Sequence, residues 1–325
     1  MKRKQFISTA FLSTAGLTLV DNLFARNHYN NPFESDSRLG RSNERMKVCV
    51  FSKQLQWLNY TDMAEAVAEM GYDGIDLTVR AKGHVLPERV ETDLPMAVEA
   101  ARKAGIKIMM ISTDINDAEE PKTEKILKTA AANGIHFYRT NGINYKNDLE
   151  MPANLEKIKK NFIGLAALNE KYGLNSFYLN HSGEGFGSSI WDLWYAIKDL
   201  DSRFIGSQYD IKHASIAAPY SWTTGFKLIH NFIQSMVVRD FSWENNGGAW
   251  GVKSMPIGDG LVDFKKFFDL VKQYRIPGPL CVMCDYNLGG AENGAMTLTI
   301  PGKSVLDAMK KDLLKLKVYL ESADL

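Results

Sequence analysis

Phe177-Tyr178-Leu179-Asn180-His181-Ser182-Gly183 and Gln208-Tyr209-Asp210-Ile211-Lys212-His213-Ala214 are the two stretches that decide how this chain folds. Each is a short apolar or aromatic run, strand-like in composition, that ends abruptly in polar, ionisable side chains and a small residue. In parallel α/β proteins the chemistry collects at that end of a strand. In the second run a carboxylate and an imidazole three residues apart suit a metal ligand with a neighbouring acid or base.

Outward from these runs the same beat repeats. After Met46, strand-like segments fall at Lys47–Ser52, Gly74–Val79, Lys107–Thr113, His136–Thr140, Ser176–Asn180, Gly206–Asp210, Ser235–Asp240 and Leu280–Asp285. Amphipathic helical stretches lie between them. Thr61 opens the first, with Met63, Ala64, Val67 and Met70 on one face and Gly71 as its stop. Leu94 to Ala104, Thr123 to Ala132 and Asn154 to Tyr172 follow, each with a glycine just beyond, and Ser189-Ile190-Trp191-Asp192 has capping-box spacing ahead of the fifth. Ser221 to Ile233, Asp263 to Tyr274 and Ser304 to Leu320 complete the series. Eight β-then-α units over about 280 residues match the ~250 typical of a closed (β/α)₈ TIM barrel. The expectation is therefore a single-domain α/β barrel over residues 46–325, with no sequence self-similarity at a fixed period.

The 325-residue chain is 45% apolar and 24% charged, enough for a large core. Thirty-nine basic and thirty-eight acidic side chains leave a net charge of +1, so nothing electrostatic recommends nucleic acid or an anionic membrane as partner. Lys2, Arg3 and Lys4 precede an uncharged apolar and small-residue stretch from Phe6 to Val20, the layout of an export signal ending near Phe24-Ala25. Arg3-Lys4-Gln5-Phe6-Ile7 resembles a relaxed twin-arginine signal, and the expected location is the periplasm. The polar residues 26–45 read as a disordered tether. Cys281 and Cys284 form C-x-x-C within a strand candidate, which puts them on opposite faces as buried spectators rather than a redox pair. The glycine-rich run Gly183 to Ser189 lacks the spacing of a dinucleotide fingerprint, so no nucleotide cofactor is expected.

In such a barrel the site forms at the strand C-ends. Arg80 and the loop carrying His84 follow the second strand, Arg139 ends the fourth, and Asn180 and His181 follow the fifth. Asp210 and His213 end the sixth, Arg239 and Asp240 the seventh, and Asp285 the eighth. Any one of them has a bland reading as a helix cap or loop tie; together they indicate a polar site. Trp222 and Trp243, among the tryptophans in βα loops or helix starts, would offer flat faces to a sugar ring.

The chain resembles the xylose-isomerase-like barrel superfamily of sugar phosphate isomerases and epimerases, related to metal-dependent endonucleases of abasic DNA. The resemblance covers nearly everything after Met46. It rests on Gly71-Tyr72-Asp73-Gly74-Ile75-Asp76-Leu77, Asn180-His181-Ser182-Gly183, Tyr209-Asp210-Ile211-Lys212-His213-Ala214, Val238-Arg239-Asp240 and Pro256-Ile257-Gly258-Asp259-Gly260-Leu261-Val262-Asp263-Phe264. It implies a divalent ion, manganese or magnesium, held by Glu, Asp, His and Glu from strands five to eight. Carried onto this chain, Asp210 is the Asp, Asp285 replaces the last Glu, and His213 matches a substrate-facing histidine. The other two ligand positions fall on Leu179 and Val237, which cannot bind metal.

Alternation along the strands puts His181 on the face of Leu179 and Arg239 on that of Val237. The fixed charge of Arg239 would then do part of the ion's work. The expected activity is isomerisation or epimerisation of a keto-sugar by proton abstraction beside a carbonyl, with a modified or lost metal site. Asp210, His213, His181, Asp285 and Arg239 are its catalytic candidates, and His84, Arg139, Asn180, Asp240, Trp222 and Trp243 its substrate-binding ones. A keto-sugar lyase on the same groups and a non-catalytic carbohydrate-binding barrel are the alternatives. Abasic-site nuclease activity is opposed by the neutral charge.

Overall fold

A computed structural model describes residues 45–325; the expected export signal and nearly all of the tether lie outside the described residues. Eight parallel strands close into a barrel: β1 (Val48–Phe51), β2 (Gly74–Val79), β3 (Lys107–Thr113), β4 (Phe137–Arg139), β5 (Asn175–Leu179), β6 (Ile205–Asp210), β7 (Ile233–Val238) and, after an inserted hairpin, β10 (Leu280–Val282). β10 pairs with both β7 and β1, completing the ring. Around it lie α1 (Tyr60–Met70), α2 (Val90–Lys103), α3 (Thr123–Ala132), α4 (Met151–Tyr172), α5 (Ile190–Ile197), α6 (Ile211–Ala217), α7 (Trp222–Ile229), α8 (Phe264–Gln273) and α9 (Gly302–Ala323).

Local chemistry sets the helix ends. Asn59 caps α1 by accepting the Asp62 N–H at 3.0 Å, and Gly71 leaves the helix at φ +90°, a conformation costly for a residue with a Cβ. Asp263 does the same for α8 through the Lys266 N–H at 2.9 Å. Met63, Ala64, Val67 and Met70 form the buried face of α1, as their spacing requires. The capping box expected before α5 does not form. The Ser189 hydroxyl makes no capping bond, since the Asp192 N–H donates to the Ser189 carbonyl at 2.9 Å, and the Asp192 carboxylate accepts instead from the Tyr145 hydroxyl at 2.5 Å and the Gly187 N–H at 3.0 Å.

Two apolar layers result. A large one lies between strands and helices. A smaller one brings together Cys49, Phe51, Leu179, Val237, Cys281 and Met283. These come from β1, β5, β7 and β10 with the segment after it, and β5 lies across the ring from β1, so this cluster fills the barrel interior. Cys281 belongs to it, whereas Cys284 faces outward and donates to Asp312 at 3.3 Å. The two cysteines thus sit on opposite faces, free and buried.

The feature that strand counting does not anticipate is the hairpin of β8 (Asp240–Asn246) and β9 (Ala249–Met255), inserted between β7 and α8. Gly247 and Gly248, at φ +67° and +101°, supply the turn, since a tight hairpin needs positive φ at its central residues. Asp240 anchors its base. One carboxylate oxygen accepts the Phe241 and Val262 N–H groups, at 2.8 and 3.0 Å, and the other those of Gly258 and Gly260, both at 3.0 Å. Gly260 is obligatory here, because a Cβ would lie 2.3 Å from the Asp240 carboxylate. Asp240 is 1% exposed and fully engaged, so it organises the loop rather than meeting a substrate, correcting the sequence expectation. Asp240→Ala strands four N–H groups at once. It is expected to cost about 3 kcal/mol of stability in urea unfolding; a loss below about 0.5 kcal/mol would contradict this role.

Candidate active site

At the C-terminal end of the ring the alternation of side chains carries polar groups above the apolar layer. Residues Leu179 and Val237 point inward, and two positions later so do His181 and Arg239; Met283 and Asp285 repeat the pattern. A cavity of about 260 Å³ opens there, lined by Phe51, Leu179 and Met283 below and by Lys53, Arg80, Arg139, His181, Arg239 and Asp285 around. That is slightly below the roughly 300–1,000 Å³ of pockets for drug-sized ligands, and suits one small molecule.

Arg239 is the centre. The residue is 8% exposed, and its guanidinium lies between two carboxylates. Nε donates to Asp210 Oδ2 at 2.7 Å, Nη2 lies 2.5 Å from the same oxygen as an ion pair, and Nη1 donates to Asp285. The second oxygen of Asp210 caps α6 through the His213 N–H at 3.0 Å, and the Asp210 backbone is clasped by Asn180, whose amide accepts its N–H at 2.8 Å and donates to its carbonyl at 3.1 Å. Asp285 takes a further ion pair from Lys53 Nζ at 3.4 Å and a weak bond from the Gln54 amide at 3.5 Å. Burial alone would raise both carboxyl pKa values. The guanidinium between them reverses that and holds both below the ordinary range, with Lys53 and Lys212 adding to the effect at Asp285. Burial lowers the Lys53 pKa from its usual value, partly offset by Asp285.

The imidazoles lie beside this cluster. His181 and His213 have ring centroids 4.7 Å apart. His181 Nδ1 is 3.1 Å from the Leu179 carbonyl, which can only accept, so Nδ1 carries the proton and Nε2 of the neutral ring is bare. Partial burial and then the charge of Arg239 hold its pKa below the usual value, keeping it neutral at pH 7. His213 pairs with the Ser182 hydroxyl at 2.8 Å, and burial brings it down to about 3.

Of the sequence candidates, Asp210, His213, His181, Asp285 and Arg239 converge, and Arg139 joins them on the cavity wall. The others stand elsewhere. Asn180 is spent on the Asp210 backbone, and Asp240 on its loop. His84 ties the loop after β2 to the segment after β1, with its ring nitrogens 3.3 Å from the Thr78 hydroxyl and 3.1 Å from the Leu55 carbonyl, and faces a separate hollow. Trp222 is 7% exposed because α7 starts at that residue and turns its ring into the helix layer. Trp243 projects from β8 against Phe241, away from the cavity. Two participants were missed. Lys53 lies in a short 3₁₀ turn (Ser52–Leu55) after β1, two residues beyond inward-facing Phe51, so the parity used for the other strands would have found it. Lys212 is buried and donates to Ser254 of β9 at 2.6 Å, tying the hairpin to the site.

A divalent ion does not fit these residues. Two ligand positions implied by the resemblance, Leu179 and Val237, are packed in the interior apolar layer. The two remaining carboxylates converge on a guanidinium, which no cation can join without displacing it. No cluster of three or more His, Cys, Asp or Glu able to hold a metal exists among the described residues.

Because both carboxylates are depressed in the folded state, the stability they contribute is complete above the ordinary carboxylate pKa of about 4 and is lost as pH falls through the lower folded values. Unfolding free energy should therefore stay level down to about pH 5 and decline below about pH 4. Arg239→Met leaves two facing carboxylates buried without their cation. It is expected to cost about 3–5 kcal/mol at pH 7 and to reverse the slope, since protonation now relieves the repulsion. A variant with the wild-type acid profile would contradict this account.

The model of the xylose isomerase-like TIM barrel family matches residues 64–298. No curated protein matches the chain in sequence. Among solved structures it is similar to D-psicose 3-epimerase from Clostridium cellulolyticum, solved with D-tagatose, at a TM-score of 0.65 and 12% identity over 85% of this chain and 99% of that one. It is similar also to 3-keto-D-glucoside 4-epimerase from E. coli (0.61, 11%, over 83% and 100%) and to a xylose isomerase domain protein from Planctomyces limnophilus (0.59, 13%, over 86% and 98%). At such identities the likeness speaks to the barrel. With the family model spanning most of a barrel whose strand ends carry these motifs, the chain belongs to the xylose isomerase-like TIM barrel family.

Proposed function

We propose that this barrel moves a proton on the carbon beside the carbonyl of a small keto-sugar, as an isomerase or epimerase that uses fixed side-chain charge where a metal ion would otherwise stand. The observation that carries the reading is His181: a neutral imidazole on the cavity wall with its tautomer fixed by the Leu179 carbonyl and Nε2 left bare, in the same cavity as Arg239 and Lys53. Forming an enediolate needs a base and a positive partner for the developing oxyanion, and these residues are of both kinds. His181 Nε2 takes the proton from carbon and, as the imidazolium, gives it back to a carbon of the enediolate, which restores the neutral ring. Lys53 and Arg239, held rigid by Asp285 and Asp210, meet the oxygen on which negative charge appears. Asp210 and Asp285 are poor bases, because their lone pairs and their charge are committed to Arg239. They act by holding the guanidinium still, which removes the reorganisation cost that water would impose.

The sugar epimerases among the similar structures support this choice of reaction without naming a substrate. Export, as the basic start at Lys2-Arg3-Lys4 and the apolar stretch after it suggest, would place the reaction in the periplasm.

Incubating the protein with a panel of ketoses in D₂O and reading deuterium beside the carbonyl by NMR tests the proposal. Wild-type protein should label at least one ketose. His181→Gln should lower the rate about 10²–10⁴-fold while leaving the unfolding midpoint unchanged. Saturable sugar binding with no exchange into any ketose would replace the enzyme with a carbohydrate-binding barrel.

A further inference from the structure

The charges of the cavity do not balance, and the cations without a direct carboxylate contact on its wall stand on one side. At the ends of β6, β7 and β10, Asp210 and Asp285 are in direct contact with Arg239 and, from the turn after β1, with Lys53, and the buried Lys212 stands near them, bonded to Ser254. On the side of β2 and β4, Arg80 and Arg139 line the same cavity, and neither has an ion pair with a carboxylate among the described residues. Arg139 is 8% exposed, and its side-chain bond there is a long one, 3.8 Å, from Nη1 to the Met283 sulfur. A guanidinium so buried without a carboxylate is unusual, because a charge removed from water ordinarily finds a counter-charge.

Both arginines instead approach one flat ring. The guanidinium carbons of Arg139 and Arg80 lie 4.5 and 5.5 Å from the centroid of Phe51. That cation–π contact positions them and offsets part of their desolvation, but it leaves the N–H forks unspent. The nearest acidic groups, Asp76 and Asp114, attract them from a distance but make no direct ion pair with either. Asp76 is wholly buried beneath, bound to Ser112 at 2.6 Å, and its burial raises the pKa toward the neutral form. Asp114 is exposed, and its carboxylate accepts the Ala81 N–H at 2.9 Å. Two like charges share one wall and repel, an arrangement that an anion between them would relieve.

We infer that Arg80 and Arg139 form an anion-recognition subsite and that the substrate is an acidic monosaccharide, a keto-sugar with a carboxylate or a phosphate ester at the end remote from the reacting carbonyl. The inference deepens the proposed reaction and rests on the same cavity. The anion docks on the β2–β4 wall above Phe51, and the carbonyl end then lies toward Arg239 across the cavity, with His181 after β5 and Lys53 after β1 on its flanks. A cavity of about 260 Å³ leaves room for one sugar unit between them. Arg80 and Arg139 bind and position; they take no part in proton transfer.

Calorimetric binding to the full chain tests this with three probes: 5-keto-D-gluconate for the carboxylate, D-fructose 6-phosphate for the phosphate ester and D-fructose as the neutral counterpart. At least one anion should bind tenfold or more tighter than D-fructose, and the preferred one identifies the group. Arg139→Gln and Arg80→Gln should each erase most of that preference, bringing the anion's affinity toward that of D-fructose measured on the same variant. Arg139→Lys should restore part of it, and Arg80, being only half-buried, provides a variant that folds even if Arg139→Gln does not. Equal binding of all three probes, or a preference untouched by either substitution, would overturn the inference. Binding is read without turnover. An anion preference in a protein that exchanges no deuterium sinks the reaction alone, and exchange into D-fructose with no anion preference sinks the subsite alone.

Discussion

One guanidinium bridging two carboxylates organises the mouth of this barrel. Arg239 joins the ends of β6 and β7 and the segment after β10 through direct contacts to Asp210 and Asp285, and Asp210 passes the constraint on to α6 through its cap and to β5 through Asn180. Removing one partner of such a buried pair leaves the other charges uncompensated, so the three side chains stand or fall as a unit. The same unit fixes the electrostatics. Lys53 brings its directly paired charges close to balance, whereas Arg80 and Arg139 on the cavity wall have no carboxylate in direct contact. Placing the neutral imidazole of His181 between a compensated wall and an uncompensated one gives the cavity a direction.

How much of this could be read from the chain follows from what sequence patterns encode. The eight strands were legible because each is a short run bounded by glycines and charges, and the alternation rule placed His181 and Arg239 on the inner face with Leu179 and Val237 beneath them. Parity is a local property, and a parallel barrel preserves it. The fate of individual polar groups was not legible, because it depends on partners far away along the chain. Asp240 has the same strand-end position as its neighbour Arg239, yet its side chain is consumed by backbone N–H groups some twenty residues later. Asn180 and His84 are likewise claimed by backbone and loop. Trp222 was misplaced for a different reason: α7 begins at that residue, and one turn of helix moves a ring from the rim into the core.

The hairpin of β8 and β9 shows the limit of counting strands by periodicity. Its turn residues, Asn246-Gly247-Gly248, are a readable hairpin signal, but its two strands are mostly exposed and lack the apolar runs that marked the barrel strands. It is attached where chemistry is sensitive. Asp240 roots it one residue after Arg239, and Lys212 reaches it from between Asp210 and His213. An excursion of the chain away from the barrel is thereby coupled to the two strand ends that carry the central ion pairs.

The apolar layer beneath the cavity has a consequence for the history open to such a sequence. Replacing Leu179 with glutamate by itself would bury a carboxylate among Cys49, Phe51 and Cys281, and replacing Val237 with histidine would bury an imidazole there. Neither residue would find an ion waiting, because Arg239 already occupies the oxygens that would complete its coordination. Replacing Arg239 first would leave those oxygens facing each other. Every single step toward a metalloenzyme therefore passes through a less stable protein, and the present arrangement behaves as a ratchet from which the chain departs only by several simultaneous changes.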